Sequence, residues 1–161
     1  MSSCTGRDHF LGGHCKIADG ETKKVFDNLP PHSQVRLTAR YHMIDDWQGQ
    51  TAFLKLDEHF SWADHSRPSS AQHGINMCGA EHLPERRMSI PIDVTLQHDA
   101  SFIEVSRSNE HTFDRKSQTS FPPLPSSVQQ VAFGSTRLDK SKAEDPCQRS
   151  FGVDDVMLYV R

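Results

Sequence analysis

Residues 150–161 read SFGVDDVMLYVR, and this stretch decides the fold class. Its second half alternates two sets of large apolar side chains, namely Val156, Leu158 and Val160 on one face and Met157 and Tyr159 on the other. That period of two is typical of a β-strand. Because both faces are apolar, we expect this strand to be buried on both sides, in the middle of a sheet.

The preceding chain repeats this pattern in short segments separated by turn-forming residues. The clearest segment covers residues 35–43, whose apolar face is formed by Val35, Leu37, Ala39, Tyr41 and Met43. Residues 51–57 show the same alternation, so we predict a hairpin with residues 44–49 as its turn. Further strands are expected at residues 22–28, 88–96, 102–105 and 131–135, and Pro91 favours an edge position for the second of these.

Loops supply the rest of the organisation. Residues 106–130 are polar and proline-rich, which predicts a long surface arm with little secondary structure. No segment longer than two turns shows a convincing helical period. Together these patterns predict an all-β fold, an antiparallel β-sandwich of the jelly-roll type with little helix. We expect residues 1–161 to form a single domain.

The composition narrows the classes of partner. The 161 residues carry a net charge of −3, and 35% of them are hydrophobic. This balance gives no indication of a nucleic-acid surface, and no apolar run approaches the roughly 18 residues of a membrane span. The first residues, MSSCTGRD, lack the apolar core of a signal peptide. We therefore expect either an intracellular chain or a mature chain without its leader.

The chain contains four cysteines, which are Cys4, Cys15, Cys78 and Cys147. An even number allows two disulfides in any of three connectivities. The pairing we consider first joins Cys4 to Cys15 and Cys78 to Cys147. Four reduced thiols in a cytosolic protein are the alternative.

A family resemblance rests on five short motifs in a fixed order. They are LGG at residues 11–13, LPPH at 29–32, IDDWQGQ at 44–50, NMCG at 76–79 and FGVDDV at 151–156. In that order they resemble the β-sandwich ectodomain that stands beside furin-like, cysteine-rich repeats in surface proteins of protists, especially ciliates. The resemblance covers nearly the whole chain and implies an extracellular type of fold. The closing strand is also similar to the last strand of MAM domains and carbohydrate-binding jelly-roll modules.

Two acidic pairs are candidate calcium ligands, namely Asp45 with Asp46 and Asp154 with Asp155. Calcium takes six to eight oxygen ligands, and an aspartate near the closing strand helps to bind calcium in some jelly rolls that the chain resembles. If both pairs lie at one end of the sandwich, they share one ion. Otherwise the first pair caps a turn, and the second pairs with an arginine such as Arg36, Arg40 or Arg149.

Trp47 lies in a predicted turn and is the candidate for stacking against a sugar ring. A buried position in the core is the commoner fate of such a ring, and it remains the alternative.

No catalytic motif stands out, so we predict a non-enzymatic binding module. We expect it to contact protein partners, or a glycan, through its end loops and through the arm at residues 106–130. The alternative is a structural subunit of a large protist assembly, either ciliary or organellar, which would place the chain inside the cell.

Overall fold

The structure is a computed structural model that describes residues 1–4, 9–66, 74–85, 87–97, 129–139 and 141–161. Eight strands run through these ranges: β1 (Leu11–Gly12), β2 (Gly20–Phe26), β3 (Gln34–Asp45), β4 (Thr51–Leu56), β5 (His59–His65), β6 (Ile90–Gln97), β7 (Gln129–Ser135) and β8 (Arg149–Val160). The predicted strand at residues 102–105, and nearly all of the predicted arm at residues 106–130, lie outside the described residues. In the described part of the chain, no helix is long and apolar enough to cross a membrane.

The strands form two antiparallel four-stranded sheets. Sheet A has the order β1-β8-β3-β6, and sheet B has the order β2-β7-β4-β5. No helix is present in the described ranges, so the predicted all-β antiparallel sandwich is confirmed. Pro91 lies in β6 at the edge of sheet A, where its missing N–H removes no hydrogen bond to a further strand.

The apolar faces of the two sheets meet in one core. Tyr41 of β3 is fully buried and stacks on Phe151 of β8, with the ring centroids 5.2 Å apart. Its hydroxyl crosses the sandwich and donates a hydrogen bond to the carbonyl oxygen of Gly134 in β7, at 3.1 Å. Burial raises the pKa of Tyr41 well above its usual range, so the hydroxyl stays protonated and serves as a donor.

The predicted hairpin between β3 and β4 is wrong, because these two strands belong to different sheets. Alternation of apolar and polar residues predicts that a strand has one buried face, but it does not show which strand lies beside it. Two strands with the same alternation can be neighbours in one sheet or can face each other across the core. The true hairpin joins β4 to β5 through Asp57 and Glu58, which both have positive φ (48° and 66°). Two such residues in a two-residue loop are typical of a type I′ turn.

The closing strand β8 is buried on both faces only in its first half. All residues from Arg149 to Val153 are buried, whereas Met157 and Tyr159 are about half exposed. A small hydrophobic cluster that contains Phe10 packs on the outer face of the first half of β8. The cluster does not extend to the second half of the strand. A β-bulge separates the two halves, since the register with β3 shifts there.

Candidate functional site

Four connecting segments meet at one end of the sandwich, which we call the loop end. They are residues 13–19 between β1 and β2, residues 46–50 between β3 and β4, residues 74–85 before β6, and residues 136–148 between β7 and β8. Backbone hydrogen bonds link three of these segments to one another or to the strand ends, and residues 74–85 are attached through the side chain of Asp45 and the Cys4–Cys78 disulfide. For example, the amide of Cys15 donates to the carbonyl of Pro146 at 3.0 Å, and that of Asp46 donates to the carbonyl of Gln148 at 3.1 Å.

Two disulfides cross-link the loop end. Cys15 pairs with Cys147, and Cys4 pairs with Cys78. Of the two alternatives considered, two disulfides and four reduced thiols, the structure has the disulfides, but the pairing that we considered first is wrong. Each bond joins positions far apart in sequence, 132 and 74 residues respectively, which only the path of the chain brings together. No cysteine is left as a free thiol.

Arg149 is the central charged group of the loop end, and it is almost fully buried, with 2% of its surface exposed. Its Nε donates to Oε2 of Glu144 at 2.6 Å, and its Nη1 donates to Oγ of Ser135 at 2.9 Å. A buried guanidinium needs such partners, because burying an unpaired charge is very costly. The sequence indicated Arg149 only as one of three alternative partners for Asp154 or Asp155.

Trp47 packs against this arginine and is buried, with 4% of its surface exposed. The Arg149 guanidinium lies 4.8 Å from the ring centroid, and the indole Nε1 donates to the carbonyl of Ser150 at 3.0 Å. The expectation that Trp47 is exposed for sugar stacking is therefore wrong. The turn that contains Trp47 folds back over the start of β8, so the ring contacts protein on all sides.

Glu144 holds the loop between β7 and β8 in place. Besides Arg149, it accepts hydrogen bonds from the side chain of Gln50 at 3.2 Å and from the amide of Leu138 at 3.1 Å. Burial by itself pushes the pKa of Glu144 up, but the hydrogen bonds from Leu138 and Arg149 outweigh it, and the pKa is lowered. Glu144 is therefore a charged carboxylate at neutral pH.

Asp45 is a structural residue of the loop end. Its buried carboxylate lies 2.6 Å from Nδ1 of His14 and accepts a hydrogen bond from the amide of Ala80 at 2.8 Å. A side chain at Gly79 would collide with this carboxylate. Asp45 thus joins two loop segments to the end of β3, which is a larger role than the turn cap that we considered for it. Asp46, which follows, accepts a hydrogen bond from the side chain of Gln48.

The second acidic pair lies elsewhere in sheet A. Asp154 Oδ1 is 3.1 Å from Nε2 of His42, and Asp155 forms an exposed ion pair with Arg40 at 3.3 Å. The pairing of Asp155 with an arginine agrees with one of the alternatives that we considered.

The structure does not bring the four candidate calcium ligands together. Asp45 is opposite Arg149 in the strand register, and Asp154 is opposite Arg40. Five residues of strand therefore separate the two pairs, which is about 17 Å. Among the described residues, no group of three or more His, Cys, Asp or Glu side chains is placed to hold a metal ion. Calcium binding by either pair alone stays a prediction.

An open cavity of about 320 Å³ lies on the loop end. Its lining residues include Asp46, Asp139, Glu144 and Asp145, together with Lys142 and Arg149. Hydrogen bonds from the side chain and the amide of Ser141 lower the pKa of Asp139, so this carboxylate is also charged at neutral pH. The sequence of residues 138–149 shows a charged segment, but it does not show which of its charges converge in the fold.

Comparisons with family models, with curated proteins and with solved structures gave no match to this chain. The site must therefore be interpreted from its own geometry.

Proposed function

We propose that the chain is a non-enzymatic binding module that contacts a protein partner through the loop end of its β-sandwich. The observation that carries this proposal is the cavity of about 320 Å³, whose walls belong to cross-linked and hydrogen-bonded loops.

The rigidity of these loops supports a binding role. Ordering a flexible side chain on binding costs about 0.5–1.5 kcal/mol, and ordering a loop costs more. At the loop end, the Cys15–Cys147 disulfide and the contacts of Glu144 with Arg149 and Gln50 hold the segment around the cavity before any partner arrives. A site on such a supported surface binds with a smaller entropic penalty.

The charge of the cavity indicates the chemistry of the partner. Four acidic residues belong to its lining, and the lowered pKa values of Asp139 and Glu144 keep both charged at neutral pH. Lys142 and Arg149 supply positive charge, but Arg149 is buried and already engaged with Glu144. A protein segment that carries Lys or Arg side chains complements the remaining exposed carboxylates. A glycan has less support, since Trp47 offers no open face for stacking.

The two disulfides indicate in which kind of compartment this module works. Disulfides form and persist in oxidising compartments and are rare in the cytosol. They support an extracellular type of module more than the alternative, a structural subunit of an intracellular protist assembly. The resemblance to protist ectodomains points in the same direction.

Peptide arrays with graded charge test the proposal. The purified, oxidised chain is applied to arrays in which Lys and Arg content is varied systematically, and hits are measured in solution by calorimetry. We expect selective binding of basic peptides and a loss of affinity of about tenfold in the double variant Asp46→Asn/Asp139→Asn, since rim charges steer and strengthen association.

The matched control is the double variant Asp27→Asn/Glu58→Gln, which removes two exposed carboxylates at the other end of the sandwich, beyond the end of β2 and between β4 and β5. It should leave peptide affinity unchanged. Equal losses in the cavity variant and the control would mean that only net charge matters. Either that outcome or the absence of selective binding would contradict a specific site at the loop end.

A further inference from the structure

The second half of β8 has an open edge. β1 pairs with β8 only at Gly152 and Val153, and β3 occupies the opposite side of the strand. Among the described residues, no strand therefore borders β8 from Asp154 onward on the side of β1. This edge is a row of backbone groups available for pairing with another strand.

The hydrogen bonds at the end of β8 show which backbone groups face the open side. Arg161 and Gln34 exchange two backbone hydrogen bonds, at 2.9 and 3.0 Å. In an antiparallel pair, alternate residues direct both their N–H and C=O groups to the same neighbour. Since Arg161 bonds to the β3 side, Tyr159 and Met157 do so as well. The groups of Val156, Leu158 and Val160 then point to the open side.

This edge lacks the features that protect other edges of the molecule. β2, at one edge of sheet B, carries Lys23 and Lys24, and β6, at the far edge of sheet A, carries Pro91. Lysines and prolines are the usual means by which proteins prevent edge strands from pairing. From Val156 to Val160, β8 has neither a charged residue nor a proline.

We propose that this edge pairs with the same edge of a second copy of the chain, antiparallel, about a two-fold axis at Leu158. In this register Asp155 is opposite Arg161 of the second copy, and Met157 is opposite Tyr159. The axis generates each of these pairs twice. The open backbone groups of Val156, Leu158 and Val160 then form three mutually bonded pairs across the axis.

Charge and side-chain chemistry favour this register over its neighbours. Moving the axis to Met157 places Asp155 opposite Tyr159, and moving it to Tyr159 places Met157 opposite Arg161, so neither register pairs opposite charges between the two copies. With the axis at Leu158, no like charges face each other, and the half-exposed Met157 and Tyr159 cover one another. Methionine sulfur packs favourably against aromatic rings, and such non-hydrogen-bonded pairs bring side chains closest together.

The resulting dimer joins two copies of sheet A into one continuous sheet of eight strands. Because the pairing is antiparallel, the two loop ends point in opposite directions. The surface is separate from the loop-end cavity, so this inference does not depend on the function proposed above.

Sedimentation velocity over a wide concentration range tests the pairing. We expect the wild type to shift from one chain to two as concentration rises. Met157→Lys and Arg161→Glu should each raise the dimer dissociation constant about tenfold, because the two-fold axis makes every substitution count twice. The matched control is Met77→Lys, at a half-exposed methionine of the loop end, which should leave the dissociation constant unchanged.

Amide hydrogen exchange supplies a second readout that does not depend on a variant's folding. The amides of Val156, Leu158 and Val160 should become more protected in the wild type as concentration rises. A wild type that stays monomeric up to about 1 mM overturns the proposal. A dimer that Met157→Lys and Arg161→Glu do not weaken overturns it as well, since its interface then lies elsewhere.

Discussion

The guanidinium of Arg149 lies 4.8 Å from the centroid of the Trp47 ring, with both side chains buried at the loop end. A desolvated contact between a cation and an aromatic ring contributes about 2 kcal/mol. This contact and the hydrogen bond from Trp47 to Ser150 fasten the turn after β3 to the start of β8. The loop end thus depends on the core of the sandwich for its shape.

Replacement of Arg149 by methionine should destabilise the protein strongly. The substitution leaves Glu144 partly buried without its cation, and breaking such a pair costs about 3–5 kcal/mol of unfolding free energy. Urea unfolding followed by circular dichroism measures the difference. The control is Arg36→Met, which breaks the exposed ion pair of Arg36 with Asp93; exposed pairs contribute about 0–1 kcal/mol. Similar losses in both variants would contradict the central role of Arg149.

The burial of Trp47 should be visible in fluorescence. In a Trp62→Phe background, Trp47 is the only remaining tryptophan. We expect a blue-shifted emission and weak quenching by acrylamide, because the ring has only 4% of its surface exposed. A further Trp47→Ala substitution should cost about 3–5 kcal/mol of unfolding free energy. Strong quenching in the folded single variant would show an open ring and would restore the stacking hypothesis.

The disulfide pairing can be tested by peptide mapping under non-reducing conditions. We expect one linked peptide with Cys4 and Cys78 and another with Cys15 and Cys147. Serine substitution of the second pair should lower the unfolding free energy by up to about 5 kcal/mol, since that bond closes the longer loop. Substitution of the first pair should cost slightly less. A linked peptide with Cys4 and Cys15 would contradict the structure.

The fold class follows from alternation that is plain in the sequence, but the placement of several residues does not. In β3 and β8, apolar residues recur at every second position because alternate side chains face the core. This alternation predicts both strands correctly. Whether β4 pairs with β3 or faces it across the core depends on the topology. Both arrangements require the same alternation of apolar residues, so the sequence does not distinguish them. Trp47 is buried because Arg149 and Ser150, a hundred residues later, provide its contacts. The apolar second half of β8 indicated full burial, yet within the described part of the chain one of its faces is half exposed and no strand borders one of its edges.

Acid should weaken the loop end through Glu144. Its pKa in the folded state is below the ordinary value of 4.5, so its contribution to stability is complete above pH 4.5 and is lost as the pH falls through the folded pKa. The variant Glu144→Gln lacks this contribution at every pH. The difference in unfolding free energy between wild type and variant should therefore shrink as the pH falls from 6 to 3, as measured by urea titrations at each pH. A constant difference would contradict this role.

Calcium and chelator should give the same thermal midpoint at matched ionic strength unless one acidic pair binds an ion by itself. The separation of about 17 Å between Asp45 and Asp154 rules out a single ion shared by the two acidic pairs. Asp45 is also already engaged by His14 and Ala80. An ion at a hundredfold excess over its Kd would stabilise the fold by about 2.7 kcal/mol, which is a shift of several degrees. A shift that Asp46→Asn abolishes and Asp155→Asn does not would place an ion at the loop end, and the reverse pattern would place it beside β8.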